Sequence, residues 1–354
     1  MRILIVSDAW EPQVNGVVRT LKMTRRELEL KGHQTEIISP LGFRSIPCPT
    51  YPEISLALTT TREMERQIDR FAPDCLHIAT EGPLGWLARR VALRREWPFT
   101  TAYHSRFPEY VDARFHIPVS WTYALLRRFH NAACFNLVPT PAIVADLKTR
   151  GFHGARLWSR GVDLQLFDPA GEREESGEKP IFLYVGRIAI EKQVDAFLRL
   201  DLPGEKWVAG EGPEEKHLKA RYPDARWFGV LDGRELARLY RSADVMVFPS
   251  VTDTFGLVMV ESMACGTPVA AFPVPGPIDV IGDSGGGAMH ADLREACLQA
   301  LKLPCDQVRR RAEQFTWSAA TEQMLAALQI IPRRLPFLLD QPAAATMTMT
   351  SSGE

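Results

Sequence analysis

Hydrophobic and polar positions alternate in blocks along almost the whole chain. Short runs rich in Val, Ile and Leu are typical of strands buried on both faces of a parallel sheet, and stretches with an apolar residue at every third or fourth position predict helices. In the first half, this pattern predicts strands at 2–7, 34–39, 74–79, 98–103 and 134–139, with helices near 17–31, 60–71, 82–95 and 141–150.

The second half repeats the same alternation. Its predicted strands are 181–185, 206–209, 226–228, 245–248 and 268–271, and its predicted helices lie near 191–200, 213–220, 232–242, 256–265 and 291–303. Regular strand–helix alternation means a parallel sheet covered by helices on both faces. The predicted fold class is therefore α/β, with two Rossmann-like doubly wound domains that face each other across a cleft.

A polar segment separates the two domains. Residues 168–180 lack apolar periodicity and contain several helix breakers, which predicts a linker. The predicted organisation is an N-terminal Rossmann-like domain 1–167, the linker 168–180, a C-terminal Rossmann-like domain 181–315, a helix 316–332 that packs back toward the first domain, and a disordered tail 333–354. Because ligands bind at the carboxyl ends of strands in open α/β sheets, we expect the active site between the domains.

Composition narrows the class of protein further. The 354 residues are too many for one ordinary core, and no apolar run reaches the length of about 18 residues that predicts a membrane-spanning helix. The N-terminus is typical of a first strand and not of a signal peptide. Six cysteines without CxxC spacing indicate reduced thiols in a cytosolic protein.

The charge is unevenly distributed, although the net charge is only −1. Residues 1–165 contain 22 Lys and Arg against 16 Asp and Glu, a balance of +6, whereas the remaining residues contain 20 against 27, a balance of −7. A basic first half beside an acidic second half predicts that one domain faces an anionic partner. Chance, combined with solvated helix faces, is the alternative.

The clearest candidate site follows the predicted strand 245–248. Asp253 lies in the loop after this strand, Gly256 begins the next helix, and Glu261 lies about one turn inside that helix. A glycine at a helix start lets a phosphate approach free backbone amides, and carboxylates on either side can bind sugar and ribose hydroxyls. This pattern favours a sugar nucleotide. On spacing alone, Asp253 as a helix N-cap and Glu261 as a solvated residue are equally consistent with the sequence.

Two basic residues, Arg187 and Lys192, follow the first strand of the second domain. Fixed cations at this place can neutralise a diphosphate leaving group. An exposed loop with solvated Arg and Lys side chains is the alternative. Neither domain contains GxGxxG or GxxxxGK[ST], which argues against a dehydrogenase and against a P-loop enzyme.

The first domain supplies two further candidates. Gly16 joins the first strand to the first helix, where its backbone amide can approach a phosphate or a sugar. His104 follows a predicted buried strand, which places it at the edge of the cleft. A purely structural histidine is the alternative for this position.

Taken together, these motifs and their order resemble the retaining glycosyltransferases of family 4, which have the GT-B fold. The resemblance runs from Met1 to about Ile330. It implies that the C-terminal domain binds a nucleotide sugar, that the N-terminal domain lies on the acceptor side, and that no metal and no cofactor are needed. The implied mechanism is a front-side substitution in which the departing phosphate takes the proton of the acceptor, while the protein contributes positioning and electrostatics.

The resemblance also implies a role for each candidate residue. The E-x7-E motif of the family is Asp253-x7-Glu261 here, with Asp in place of the first Glu; Asp253 would contact the transferred sugar and Glu261 the ribose. Arg187 and Lys192 match the diphosphate pair, and His104 matches the histidine beside the reacting carbon. The remaining matches are the donor-loop residue Gly16, the backbone amides of Phe255, Gly256 and Leu257, and the segment Arg160-Gly161-Val162-Asp163 with Phe167 at the linker. The implied catalytic residues are His104, Asp253, Arg187 and Lys192.

Two segments indicate the chemical class of the acceptor. Residues 103–110 and 157–163 resemble the branch of the family that builds sulfoquinovosyl-, glucosyl-, glucuronosyl- or mannosyl-glycerolipids and related mannolipids. Residues 105–130 interleave aromatic residues with arginines, a mixture that suits a membrane interface. A helix that packs on the core with its basic residues outward is the alternative.

The predicted function is the transfer of a hexose or hexuronic acid from a UDP-glucose-like, UDP-glucuronate-like or GDP-mannose donor to a membrane glycerolipid such as diacylglycerol. The predicted location is cytoplasmic, with peripheral attachment to the anionic inner face of the membrane, and nucleic acid is not an expected partner. A glycosyltransferase of polysaccharide or lipopolysaccharide assembly is the main alternative. A GT-B sugar-nucleotide epimerase is a more distant one.

Overall fold

The computed structural model describes residues 1–13, 15–48, 51–174, 177–283 and 285–332, with only the backbone described for 51–54 and 113–115. The predicted tail 333–354 and residues 175–176 of the predicted linker lie outside the described residues. Two six-stranded parallel sheets, each flanked by helices, form the two halves of the molecule. The predicted fold class, two doubly wound α/β domains, is confirmed.

The first sheet has the strand order β2-β1-β5-β6-β7-β8, and all of its neighbouring strands are parallel. The strands of this half are β1 (Arg2–Val6), β2 (Gln34–Ile38), β3 (Arg44–Cys48), β4 (Tyr51–Leu58), β5 (Cys75–Ile78), β6 (Thr100–Ala102), β7 (Phe135–Val138) and β8 (Ala155–Leu157), of which β3 and β4 form a separate antiparallel hairpin. Its helices are α1 (Gly16–Leu30), α2 (Thr61–Phe71), α3 (Pro83–Arg94), α4 (Phe107–Phe115), α5 (Val119–His130) and α6 (Pro141–Thr149), with a 3-10 turn at Pro40–Gly42.

The second sheet has the order β11-β10-β9-β12-β13-β14 and is also parallel throughout. Its strands are β9 (Ile181–Val185), β10 (Glu205–Ala209), β11 (Arg226–Gly229), β12 (Val245–Phe248), β13 (Val269–Ala271) and β14 (Gly287–Met289). The helices of this half are α7 (Val194–Leu198), α8 (Glu215–Arg221), α9 (Gly233–Ser242), α10 (Leu257–Ala264), α11 (Pro277–Ile281), α12 (Leu293–Ala300), α13 (Cys305–Ala312) and α14 (Trp317–Ala327), with a 3-10 turn at Ile190–Lys192.

Burial and capping explain why the elements nearest the cleft form where they do. Residues 3–6 of β1 are fully buried because the strand lies between β2 and β5 and is covered on both faces. The Asn15 side chain accepts hydrogen bonds from the backbone amides of Val17 and Val18, both at 3.0 Å, and so starts α1 directly after the loop that follows β1. The cap therefore fixes where the first turn of α1 begins.

The last helix, α14, packs on the first half of the chain. Its residues Ala320, Met324 and Ala327 share one buried apolar cluster with Ile3 of β1 and with Trp158. The chain therefore passes between the two halves twice. The two passages touch, because the Val162 amide donates to the Phe315 carbonyl at 3.1 Å and a Cβ at Gly161 would lie 2.2 Å from the Trp317 nitrogen.

Several elements were not predicted from the sequence pattern. They are the hairpin β3–β4, the strands β8 and β14, and the helices α4, α5, α11 and α13; a helix within residues 105–130 was only the alternative to a membrane interface. Prolines at 47 and 52 break the apolar runs of the hairpin, and β8 and β14 have only three residues each, too few for a periodic signal. The predicted helix 191–200 is divided, because Gln193 adopts a left-handed conformation with φ 53° between the 3-10 turn and α7. Every helix within the described ranges is too short or too polar to cross a bilayer.

Candidate active site

Polar side chains from both halves meet at the carboxyl ends of the two sheets. The first half supplies the start of α1 and the loop after β6, and the second half supplies the loops after β9 and β12. Direct contacts join the two sides: the Thr254 hydroxyl donates to the His104 carbonyl at 2.6 Å, and the Arg19 guanidinium forms an ion pair with the Glu261 carboxylate at 2.5 Å. The predicted cleft is therefore closed over part of its length in this structure.

An ion pair joins two of the predicted residues, Lys192 and Asp253. The Lys192 Nζ atom lies 2.6 Å from Asp253 Oδ1, and about one fifth of each side chain is exposed. Burial lowers the pKa of Lys192, but the Asp253 carboxylate and the Tyr110 hydroxyl outweigh burial, so the net pKa lies above the ordinary value for lysine. The second carboxylate oxygen, Asp253 Oδ2, is buried and has no hydrogen-bond partner among the described residues. The pair thus presents a permanent cation beside an oxygen that can accept a hydrogen bond from a sugar hydroxyl.

Tyr110 completes the surroundings of this ion pair from the opposite half. It lies on α4, forms a hydrogen bond with Thr252, and interacts electrostatically with both Lys192 and Asp253. Burial raises the pKa of Tyr110 to about 12, so its hydroxyl remains protonated. The sequence pattern did not identify Tyr110, because one tyrosine on a mixed aromatic helix carries no signal of its own.

Arg187 lies between Lys192 and the end of β9. It is half-buried, and its backbone carbonyl accepts a hydrogen bond from the Tyr184 hydroxyl at 2.7 Å. This bond fixes the backbone of the loop that carries both predicted diphosphate-binding residues. The structure therefore places both basic residues on one short loop at the carboxyl edge of the second sheet.

The turn between Asp253 and Glu261 brings backbone amides to the same edge. Gly256 has φ +81°, and a Cβ there would lie 2.8 Å from the Met259 side chain and 2.9 Å from the Phe248 ring, so this position needs glycine. α10 begins at the next residue, Leu257, whose Cδ1 would lie 3.7 Å from a Cβ on Gly16 across the cleft. Phe255 is buried with its ring edge-on to Phe315, at 5.7 Å between centroids. Gly16 and the 255–257 turn therefore face each other across the cleft.

Glu261 is only 2% exposed, so its interpretation as a solvated helix residue is wrong. The carboxylate accepts a hydrogen bond from the Tyr240 hydroxyl at 3.3 Å in addition to its ion pair with Arg19. Burial raises the pKa of Glu261, whereas Arg19 and Tyr240 act in the opposite direction. The N-cap interpretation of Asp253 is wrong as well, because Gly256 occupies the N-cap position of α10.

Arg19 reaches Glu261 from the other half of the chain. It lies on α1, less than one turn after Gly16, and its guanidinium also stacks 5.3 Å from the centre of the Phe167 ring near the linker. In the sequence, Arg19 looks like any basic residue on the polar face of an amphipathic helix. Only the folded structure shows that it crosses the cleft.

His104 lies two residues after β6, within the interdomain contact. Its Nδ1 atom lies 3.2 Å from Nη2 of Arg160, and its ring is edge-on to Trp158 at 5.7 Å between centroids. The Nε2 atom is buried and has no hydrogen-bond partner among the described residues. Burial, followed by the positive charge of Arg160, holds the pKa of His104 well below its ordinary range. The imidazole is therefore neutral.

A separate cavity of about 240 Å³ lies beside the two passages of the chain between the halves. Its lining comes from both halves and includes Thr140, Arg160, Phe255, Asp279, Phe315 and Gln323. The Asp279 carboxylate accepts a hydrogen bond from the Ala142 amide at the start of α6, at 2.9 Å, and so closes one side of the contact. Lys192, Asp253 and Glu261 do not line this cavity, which distinguishes it from the predicted donor site.

The described side chains form no evident metal site. Within the ranges that the structure describes, no group of three or more His, Cys, Asp or Glu side chains is arranged to hold a metal ion. Metal independence stays a prediction, since a bound nucleotide can itself supply metal ligands.

The sequence and the fold are both similar to those of known glycosyltransferases. The sequence matches the family model "Glycosyltransferase Family 4" over residues 14–166 and the model "Glycosyl transferases group 1" over residues 179–303. The structure is similar to a sucrose-phosphate synthase from Thermosynechococcus elongatus, with a TM-score of 0.73 and 21% identity over 92% of this chain and 97% of that chain. The two facing sheets are therefore a GT-B glycosyltransferase fold.

Several named glycosyltransferases are similar to this chain in sequence. A GDP-mannose-dependent alpha-mannosyltransferase of Mycobacterium tuberculosis is 30% identical over 79% of this chain and 81% of its own length. The sulfoquinovosyl transferase SQD2 of Arabidopsis thaliana is 32% identical over 80% of this chain, although the match spans only 62% of that longer protein. An alpha-monoglucosyldiacylglycerol synthase of Streptococcus pneumoniae is 26% identical over 85% of this chain and 78% of its own length. The chain belongs to glycosyltransferase family 4, which confirms the resemblance inferred from its motifs.

Proposed function

We propose that the protein transfers a hexose or hexuronic acid from a nucleotide-diphosphate sugar to a membrane glycerolipid such as diacylglycerol, with retention of the anomeric configuration and without a metal or cofactor. The observation that carries the proposal is the group of side chains around Asp253. Lys192 of the same half and Tyr110 of the other half surround a carboxylate that keeps one oxygen free of partners among the described residues. A sugar bound there lies between the diphosphate side and the acceptor side of the cleft.

The donor half would bind the nucleotide through the second sheet. Arg187 and Lys192 neutralise the diphosphate, the amides of the 255–257 turn bind its oxygens, and Glu261 accepts hydrogen bonds from the ribose hydroxyls. Because Arg19 holds the Glu261 carboxylate in the present structure, ribose binding requires Arg19 to move or to share that carboxylate. Donor binding is therefore coupled to the contact between the two halves.

The chemical step follows from this placement. The bond between the anomeric carbon and the departing phosphate oxygen breaks, the acceptor oxygen forms its bond to the same face of that carbon, and the acceptor proton moves to the departing phosphate. Lys192 and Arg187 stabilise the negative charge that develops on the leaving group, a contribution of several kcal/mol in a site that excludes water. Asp253 orients the sugar through its open oxygen.

The lipid acceptor is supported by a surface on the first half and by one relative. Four large apolar side chains on and beside α4 and α5 are exposed: Phe107, Ile117, Trp121 and Leu125. Trp121 is the most exposed of them at 72%. The S. pneumoniae relative is named for diacylglycerol, and the first half of the present chain carries the excess positive charge of +6. An apolar surface on a basic domain fits an anionic membrane.

Residues 105–130 were interpreted either as a membrane interface or as a helix packed on the core, and α5 has features of both. Its residues Tyr123, Leu126 and Phe129 are buried, as a helix packed on the core requires. Arg127 donates to the Arg150 carbonyl at 3.0 Å and so contributes to this packing. Arg128 is exposed and available to a lipid headgroup. The proposed membrane surface therefore consists of Phe107, Ile117, Trp121, Leu125 and Arg128.

A donor and acceptor panel tests the proposed function. The full-length protein is incubated with radiolabelled UDP-glucose, UDP-glucuronate or GDP-mannose and with vesicles that contain diacylglycerol, in the presence of EDTA. We expect one donor to yield a labelled α-glycolipid. Transfer only to a soluble saccharide or a carrier-linked oligosaccharide would favour polysaccharide or lipopolysaccharide assembly, and conversion of the donor without any acceptor would favour an epimerase. Activity that EDTA abolishes and Mg²⁺ or Mn²⁺ restores would contradict the metal-free mechanism.

A further inference from the structure

The contact between Arg160 and His104 defines which ring nitrogen of His104 carries the hydrogen. A guanidinium group has only donors, so at 3.2 Å the Nδ1 atom of His104 must accept the hydrogen bond from Arg160 Nη2. A neutral imidazole that accepts at Nδ1 carries its hydrogen on Nε2. That Nε2 atom is buried without a partner in the described part of the chain.

We propose that Arg160 is a positioning residue that fixes His104 as the neutral Nε2–H tautomer, so that His104 donates a hydrogen bond to an oxygen atom of the bound sugar or acceptor and does not act as a base. The proposal rests on the proposed glycosyl transfer, because it assigns the direction of the His104 contact within that site. An imidazole with an occupied Nδ1 lone pair and a hydrogen on Nε2 has no nitrogen free to take a proton. The acceptor proton must then leave by another route, which is consistent with its transfer to the departing phosphate.

Arg160 is itself held firmly, as a positioning residue must be. It is only 4% exposed, and its Nη1 atom donates to the carbonyls of Trp158 and Ser159. The guanidinium stacks 4.4 Å from the centre of the Trp158 ring, the same ring that contacts the edge of His104. One aromatic ring therefore supports both members of the pair.

His104 is also constrained from its backbone side. The Thr254 hydroxyl of the second half donates to its carbonyl. With the backbone, the ring edge and Nδ1 all engaged, only the Nε2–H group remains for a ligand. Buried donors are nearly always hydrogen-bonded in native proteins, so the unpaired Nε2–H of a histidine at the interdomain contact is a donor that a ligand oxygen can satisfy.

The tautomer is tested directly on ligand-free protein labelled with ¹⁵N. A long-range ¹H–¹⁵N correlation spectrum distinguishes the tautomers of the eight histidines, and the His104 signals are those missing from a His104→Gln variant. We expect His104 to be neutral at neutral pH, with its hydrogen on Nε2. A His104 signal with the hydrogen on Nδ1, or on both nitrogens, would overturn the proposal.

Three arginine variants test whether Arg160 is the cause. In Arg160→Met we expect a mixture of His104 tautomers and a fall in kcat of about 10- to 100-fold, by analogy with the loss of a partner that orients a metal-binding histidine, with little change in the donor KM. Arg160→Lys retains a cationic donor and should restore the Nε2–H tautomer and part of kcat. Arg156→Met is the matched control, because Arg156 stacks on Phe135 and is exposed on β8; it should change neither readout.

A change in only one of the two readouts of Arg160→Met would contradict the proposal. An unchanged tautomer with reduced kcat would mean that Arg160 acts by another route, and a changed tautomer with normal kcat would mean that the tautomer is irrelevant to transfer. If Arg160→Met does not fold, the native spectrum and Arg160→Lys decide the question. Because the spectrum needs no substrate, failure of the lipid-acceptor assay leaves this test intact, and the two proposals can fail separately.

Discussion

The second half of the molecule holds charged side chains at the cleft in ion pairs, whereas the first half holds two buried histidines, His77 and His104, in neutral form. Lys192 and Asp253 pair within the second half, and Glu261 of the same half receives its partner, Arg19, from across the cleft. In the first half, burial lowers the pKa of His77 to about 3 and keeps His104 uncharged. The second half is thus suited to a charged leaving group, and the first to directional hydrogen bonds.

The physical reason lies in the cost of burying charge. An ionised group removed from water is tolerated when a partner of opposite charge compensates for its lost hydration, as for Lys192 and Asp253. The ring of His77 instead forms a hydrogen bond with Thr100 at 2.8 Å, which a neutral imidazole can make. The comparison therefore predicts that substitutions on the two sides alter different kinetic quantities.

The largest effect is expected from Lys192→Ala. It removes a fixed cation at the leaving group and leaves the Asp253 carboxylate unpaired, so kcat should fall by about 10²-fold or more. Steady-state kinetics measures the loss, and circular dichroism checks that the fold is intact. The control is Lys219→Ala, which removes a lysine with an exposed ion pair to Glu215 on α8. Activity of Lys192→Ala close to that of the control would show that Lys192 does not stabilise the leaving group.

A smaller effect is expected from Glu261→Gln, which should weaken donor binding and leave kcat unchanged. The amide cannot replace a carboxylate that accepts hydrogen bonds from ribose, so the free energy of donor binding should weaken by about 2 kcal/mol, or roughly 30-fold in Kd. Isothermal titration calorimetry with UDP and GDP measures it. Glu322→Gln, on the outer face of α14, is the control. Unchanged nucleotide affinity in Glu261→Gln would contradict the ribose assignment.

A change on the first half should leave nucleotide binding alone and weaken membrane binding. Arg128→Gln should reduce the affinity for anionic vesicles by ~1 kcal/mol, or about 5-fold, and this loss should disappear at high salt. Trp121→Ala should instead weaken binding at both salt concentrations, because apolar burial is not screened. Co-sedimentation with neutral and anionic vesicles separates the two cases. Arg234→Gln, on α9 of the acidic half, should bind vesicles normally; no binding by the native protein would remove the physical support for a lipid acceptor.

The smallest effect is expected from Arg19→Gln, and it should appear mainly as a pH dependence. Burial raises the pKa of Glu261 and Arg19 opposes that rise, so without Arg19 the carboxylate should take up a proton at higher pH. Since only the ionised carboxylate accepts both ribose hydrogen bonds, donor affinity of the variant should fall more steeply than that of the native protein as the pH is lowered. Parallel pH profiles of the two proteins, measured by calorimetry, would show that Arg19 does not control the ionisation of Glu261.

Much of the fold could be predicted from the sequence, because buried parallel strands and amphipathic helices leave strong periodic signals. The residues of the second half, Lys192, Asp253 and Glu261, could be selected as well, since they lie in compact motifs beside strand ends. Arg19 and Tyr110 could not, because each belongs to an ordinary helix and reaches the site only after the halves have packed together. Contacts between distant segments leave no mark in local periodicity.

The position of α14 has a consequence for the order in which the chain acquires its structure. Part of the apolar core beneath β1 is supplied by the last helix of the described chain, which is synthesised after the entire second half. A fragment that ends before residue 175 would expose this part of its core and should aggregate or remain loosely packed. The same fragment, produced together with a second fragment that begins near residue 176 and carries α14, should recover a compact form, since the missing helix can be supplied by a separate chain. We therefore expect the first half of this protein to be a domain in shape that needs α14 to complete its core.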